Sequence, residues 1–267
     1  MRVLWTFEIY YIESINCCHL IIIANLNNYR LKIQYDGTNY AGWQLQENAV
    51  TVQGKIIESI EILTKEKVNL IGSGRTDAGV HALGQAANFK IDKELNIYRF
   101  SHSLNAILPK DISVTHIQNV EESFHSRFDA KKRSYIYLIS KIKSPFYYPY
   151  SWYYHESIDI LKLRKLSESL IGEFDFTSFA KKNTETENKV CDIFQINWHE
   201  SNEFIIFFIE ANRFLHGMVR TIVGTLMKLM KEKESEKSLM EILKQKDREA
   251  AGEAVLSRGL FLYKVKY

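Results

Sequence analysis

"KVNLIGSGRTDAGVHALGQAANFKI", residues 67–91, decides how this chain is built. Residues 67–72 form a short strand-like run, and residues 84–91 form another. Between them Arg75, Thr76 and Asp77 stand in a row, ringed by Gly72, Gly74, Gly79 and Gly84. A turn needs one glycine; four imply a loop that something large approaches closely. The stretch reads as two strands joined through a loop that carries chemistry.

Outward from that loop the pattern stays regular. Leu31, Ile33 and Tyr35 alternate in a strand that ends at Asp36-Gly37. Val52, Ile56, Ile60 and Leu63 recur at helical spacing behind Thr51, a fitting N-cap. Residues 97–108 read as a helix stopped near Pro109, and residues 111–120 as a strand. Strand, helix, strand, strand, helix, strand describes a compact α+β unit on a mostly antiparallel sheet. A similar order recurs from residue 133. A strand leads to a helix with Ser157 as N-cap and Gly172 near its end, then to a hairpin of two strands. Two more helices and the final strand at 259–267 complete the chain. Two related halves, each with its own sheet, are expected to flank a cleft. They divide as residues 29–130 and 131–267, with residues 1–28 as an extension outside the fold.

Composition narrows the class. The 267 residues are 46% hydrophobic and 25% charged, enough for an ample core without disulfide or metal support. Net charge is only +3, so the distribution of charge says more than its sum. Cys17, Cys18 and Cys191 show no metal-ligand spacing and read as a reducing cytoplasm. The apolar leader is interrupted by Glu8 and Glu13, and its clean apolar run is too short to span a bilayer.

Three places hold candidate chemistry. In the glycine loop, neither GxxxxGK[ST] nor GxGxxG is met, which argues against a phosphate cradle. Arg75 and Asp77 sit two apart, on one side of an extended segment, so a cation lies beside a carboxylate able to act as nucleophile or base. The alternative is a glycine-rich turn with a solvated aspartate. His81 is read as a brace for the loop, since no Gly-x-Ser-x-Gly elbow supports a hydrolase. The second place is "FHSRFDAKKRSYIYLISKIKSP", residues 124–145. There Arg127, Lys132 and Arg133 interleave with Phe124, Phe128, Tyr135 and Tyr137, as phosphate-neutralising and base-stacking groups do in RNA contacts. A lysine-guarded strand edge gives the same pattern. The third is "EANRFLHGMVRTIVG", residues 210–224, where Arg220 lies between Gly217 and Gly224, off the apolar stripe of Leu215, Val219, Ile222 and Leu226. Either Arg220 extends to solvent or it needs an anionic partner, and Asp77 would serve.

In order, "YDGTNYAGWQLQ", "GSGRTDAGVHALGQ", "FHSRFDAKKRSYIY", "DFTSFA", "NRFLHGMVRTIVG" and "GLFLYKV" resemble the tRNA pseudouridine synthase A (TruA) family from about Tyr29 to the C-terminus. The resemblance implies two α/β halves of RNA-recognition-like (RRM-like) topology around a central catalytic cleft. It implies a homodimer without cofactor or metal that converts uridine to pseudouridine at positions 38 to 40 of the tRNA anticodon stem-loop. By motif, Asp77 would be the catalytic aspartate, Arg220 its partner and Tyr135 the ring stacked on the target base. Arg75 would help hold the flipped nucleotide or its phosphate, and Leu262 would line the uracil pocket. Readings from other classes are an RNA-binding module without catalysis and a nucleotide-dependent enzyme that uses the glycine loop.

Overall fold

The structure is a computed structural model that describes residues 26–182, 186–232 and 234–267. Residues 1–25 of the expected extension lie outside it. The first strand, β1 (Asn27–Tyr35), starts two residues ahead of the expected boundary. Asn28 is buried there, and its carboxamide donates to the carbonyls of Glu121 and Phe124 at 2.9 Å each. Asn88 Nδ2 donates in turn to Asn28 Oδ1 at 2.9 Å, so this residue belongs to the fold.

The alternation of β1 buries Tyr29, Leu31, Ile33 and Tyr35 on one face. β1 pairs antiparallel with β3 (His81–Ile91) and β4 (Ile112–Val120), and two-residue β2 (Ile71–Gly72) flanks β3. The helices α1 (Val52–Thr64) and α2 (Ile97–Ile107) contribute Ile56, Ile60, Phe100 and Leu104 to the same core. Thr51 caps α1 as expected: the Gly54 N–H donates to its Oγ1 at 3.2 Å.

The second half repeats the plan. β5 (Lys132–Ser140) pairs with β9 (Phe204–Ala211), β9 with β8 (Val190–Glu200), and β8 with β7 (Gly172–Asp175). β6 (Trp152–Tyr153) adds a short parallel edge to β5. The helices α3 (Ile160–Glu168) and α4 (Met218–Lys231) bury Leu163, Leu166, Ile222 and Leu226 in the core, and α5 (Glu236–Gln245) adds Leu239. Asp159, not Ser157, caps α3, accepting from the Lys162 N–H at 2.9 Å. A carboxylate directly ahead of the first turn is favoured by both the free N–H groups and the helix dipole. Gly172 does not end that helix; it opens β7 with φ +114°.

The last strand, β10 (Leu260–Lys266), changes the expected architecture. It runs parallel to β3 over two residue pairs and antiparallel to β5 along its length. The strands form one continuous sheet, ordered β4-β1-β3-β10-β5-β9-β8-β7. The α+β class and mostly antiparallel pairing are as expected, but two separate sheets are not what forms. β10 pairs the inner edges of β3 and β5, which would otherwise present open N–H and C=O rows. Ala82, Leu262 and Tyr135 thereby become direct neighbours across three strands.

Candidate active site

Asp77 lies in the loop between β2 and β3, and that loop is fixed on its inner side. Ser73 and Thr76 point inward. The Tyr35 and Thr76 hydroxyls are 2.7 Å apart, Ser73 Oγ meets Gln85 Oε1 at 2.6 Å, and Gln85 Nε2 donates to the Gly74 carbonyl. The Trp43 N–H donates to the Thr76 carbonyl at 3.1 Å. With these residues turned in, Arg75 is exposed and Asp77 half-buried. The glycines do not serve the close outside approach read from the sequence. A Cβ on Gly72 would lie 2.5 Å from Trp43 Nε1, and one on Gly84 2.5 Å from the Tyr263 carbonyl oxygen. Gly79 has φ +73° and packs against Ser257. A Cβ on Gly74 would make only an ordinary contact, 3.9 Å from Arg133 Nε.

The other half supplies the partners of Asp77. Arg220, in the first turn of α4, donates from Nη1 to Asp77 Oδ2 at 3.1 Å and from Nε to the Val255 carbonyl at 2.7 Å. Gly224 lets the segment around Val255 approach, because a Cβ there would overlap the Glu253 carbonyl oxygen. His216 Nε2 sits 2.9 Å from Asp77 Oδ1. Oδ2 thus accepts from Arg220, and Oδ1 faces the His216 ring.

Tyr135 points to the same sheet face as core Tyr137, whose hydroxyl donates to the Leu256 carbonyl at 2.9 Å. Its ring meets Phe214 edge-on at 5.1 Å. Burial pushes the Tyr135 phenol above the usual tyrosine range; Arg133 opposes that shift and the Asp77 carboxylate adds to it. The phenol therefore stays neutral, and Asp77 is close enough to be felt. Leu262, fully buried, is the cross-strand partner of Tyr135. Asp77, Arg220, Tyr135 and Leu262 are brought together; Arg75 stands beside them with Nε on Gln44 Oε1 at 3.1 Å.

The basic strand is divided. Arg127 is exposed, its guanidinium 5.7 Å from the Phe128 ring. Lys132 lies on the opposite face of β5 from Tyr135, 3.6 Å from Glu210 and 4.4 Å from the centre of the Phe194 ring. Arg133 is turned inward, donating to the carbonyls of Ser73, Ala130, Arg127 and Asn212. Lys132 thus faces away from Tyr135, and Arg133 ties the Asp77 loop to Asn212 after β9.

His81 is the expected brace. The Gly37 N–H donates to its Nδ1 at 3.1 Å, and its Nε2 faces the Arg258 carbonyl at 3.1 Å. Asp36 Oδ1 lies 3.0 Å from Nδ1, which makes an ion pair only if the ring is protonated. Burial, the largest influence, holds the His81 pKa below its usual value despite Asp36. Unfolding therefore lets the ring take up a proton. Stability from this residue is complete above about pH 6.5, the unfolded value, and is lost as pH falls below it. Thermal melts of wild type and His81→Gln between pH 5 and 8 are expected to show a steeper acid loss in the wild type. Parallel curves would reject a buried neutral His81.

The fold is α+β, and it sets one carboxylate, Asp77, against Arg220 and His216 from far along the chain. The pattern of the tRNA pseudouridine synthase family matches residues 32–129 and 166–267, which include Asp77, Arg220 and Leu262; Tyr135 falls between the two segments. The tRNA pseudouridine synthase A of Thermoanaerobacter sp. (strain X514) is 41% identical over 244 residues, 91% of this chain and 100% of that protein. The Bacteroides fragilis tRNA pseudouridine synthase A is 37% identical over 245 residues, 91% of this chain and 97% of that one. The chain belongs to the tRNA pseudouridine synthase A family and is an isomerase. No helix among the described residues is long and apolar enough to cross a membrane.

Proposed function

We propose that this isomerase converts uridine to pseudouridine at positions 38 to 40 of the tRNA anticodon stem-loop, with Asp77 as catalytic residue. It acts in the cytoplasm as a homodimer and without a cofactor. The observation that carries the catalytic assignment is the Asp77 carboxylate, held by Arg220 and His216 beside neutral Tyr135. The target uridine must leave its stack to reach a loop inside a cleft. Tyr135 and Leu262 form a flat, apolar wall for the uracil, and exposed Arg75 and Arg127 face the phosphates. Asp77 acts on the ribose, by attack at C1′ or by removal of the C2′ proton. The C1′–N1 bond breaks, the uracil turns, and C5 bonds to C1′ as the Asp77–C1′ bond breaks, or as Asp77 returns the proton to C2′, while a proton passes from C5 to N1. Atoms balance without an outside reactant. Exclusion of water protects the separated pieces.

The test uses an unmodified tRNA transcript with uridines at 38, 39 and 40, incubated with the full chain and no additive. Pseudouridine is mapped by chemical labelling and primer extension. Signal at those positions, lost when they are changed to cytidine, is the expected result. Signal confined to other uridines would overturn the site assignment.

A further inference from the structure

His216 stands out because the proposed chemistry of Asp77 does not by itself call for it. Its imidazole is about half exposed, yet Nε2 lies 2.9 Å from Asp77 Oδ1. A carboxylate oxygen at that distance is an acceptor for a ring nitrogen that carries hydrogen, so the contact is attractive with hydrogen on Nε2. Arg220 meets the other oxygen through Nη1, with its Nε committed to Val255.

One such bond does not orient a carboxylate. The torsion between Cβ and Cγ of an aspartate is broad, so a group held through one oxygen can still turn. A donor on the second oxygen removes that freedom. Both groups come from one stretch of chain: Arg220 sits in the first turn of α4, and His216 immediately precedes its cap, Gly217. The backbone at Gly217, with φ +73°, reverses the chain there, a conformation that side-chain-bearing residues rarely adopt. The Lys181 N–H donates to the His216 carbonyl at 2.9 Å, and the Met218 N–H to the Leu215 carbonyl at 3.1 Å, which fixes the backbone on either side.

We propose that His216 is a positioning residue: through Nε2–H it sets the plane in which Asp77 presents its carboxylate to the ribose. This rests on the reading of Asp77 as the catalytic group. It makes α4 the element that orients a side chain carried by the other half of the molecule. Because half of the imidazole is open to solvent, the role is to hold Asp77 and not to fill the core.

The experiment compares wild type, His216→Ala, His216→Gln and Asp77→Asn with the same tRNA transcript, measuring single-turnover rate and tRNA affinity separately. Loss of orientation at a reacting group costs about 10- to 100-fold in rate. His216→Ala is expected to lose that much in rate with affinity within about twofold. His216→Gln, which keeps a donor on a flexible stem, is expected to recover most of the loss. Equal losses in the Ala and Gln variants would overturn the proposal, since the donor would not be the cause. A loss confined to affinity would make His216 an RNA contact and also overturn it. An unaffected Ala variant beside an inactive Asp77→Asn would sink the role of His216 and leave Asp77 standing. An active Asp77→Asn would remove the reading on which both rest.

Discussion

Asp77→Asn is expected to give a folded protein that binds tRNA and makes no pseudouridine, with turnover reduced at least about a thousandfold. Asparagine keeps the shape of aspartate but carries no charge to direct at the ribose. It keeps one oxygen for a single donor. The other donor then meets an NH2 group, so the pair formed by His216 and Arg220 cannot both be satisfied. The side chain is about one-fifth exposed, which limits the stability cost to a melting shift of a few degrees. Filter binding, thermal melts and mapped pseudouridine separate the three outcomes. Retention of more than about a thousandth of the wild-type rate would reject Asp77 as the catalytic group. An unfolded variant would show instead that the pairing across the cleft is structural.

The strongly periodic elements were legible because each is set by its own residues. β1 alternates, α1 repeats at helical spacing behind Thr51, and the β8–β9 hairpin is two apolar runs parted by three residues. The joining of the halves was not legible. It depends on β10 finding β3 from about 180 residues away through only two pairs, Phe261 with His81 and Leu262 with Ala82. No local pattern encodes a pairing of that kind. Short β6 and β7 were missed for a related reason: two or four residues carry too little alternation to be read.

The site divides along the same line. Asp77 and Arg220 stand out as charged residues in unusual surroundings, whereas Tyr135 is told from Tyr137 only by the family resemblance; the fold brings the three together. The glycines misled because close approach was correctly inferred and the approaching group was not. Trp43, Tyr263 and Ser257 fill the space that an outside partner was expected to use. Lys132 and Arg133 are adjacent in sequence and alternate across β5, so one basic run cannot serve one surface. His216 gave no signal because its importance comes only from its distance to Asp77, a residue 139 positions earlier.

Arg220→Met is expected to lower turnover by more than about a hundredfold and to reduce stability by about 2–3 kcal/mol. Methionine fills much of the same volume but returns neither donor. The Val255 carbonyl loses its 2.7 Å bond, and Asp77 keeps only His216. Each member of the pair is about one-fifth exposed, so the loss stays below that of a fully buried pair with one partner removed. Arg220→Lys should fall between the two. It restores a charge, but a point-like ammonium does not reproduce a fork that spans Val255 and Asp77. Activity alone does not isolate the pair, because both residues also shape the cleft. Denaturation of wild type, Arg220→Met, Asp77→Asn and the double variant closes a cycle in which the pairwise part is read directly. If Arg220 acts through Asp77, the double variant loses less stability than the two single losses added together. Strict additivity, or a fully active Arg220→Met, would mean that the contact between the halves at this carboxylate contributes nothing. Val255 would then be the real partner of Arg220.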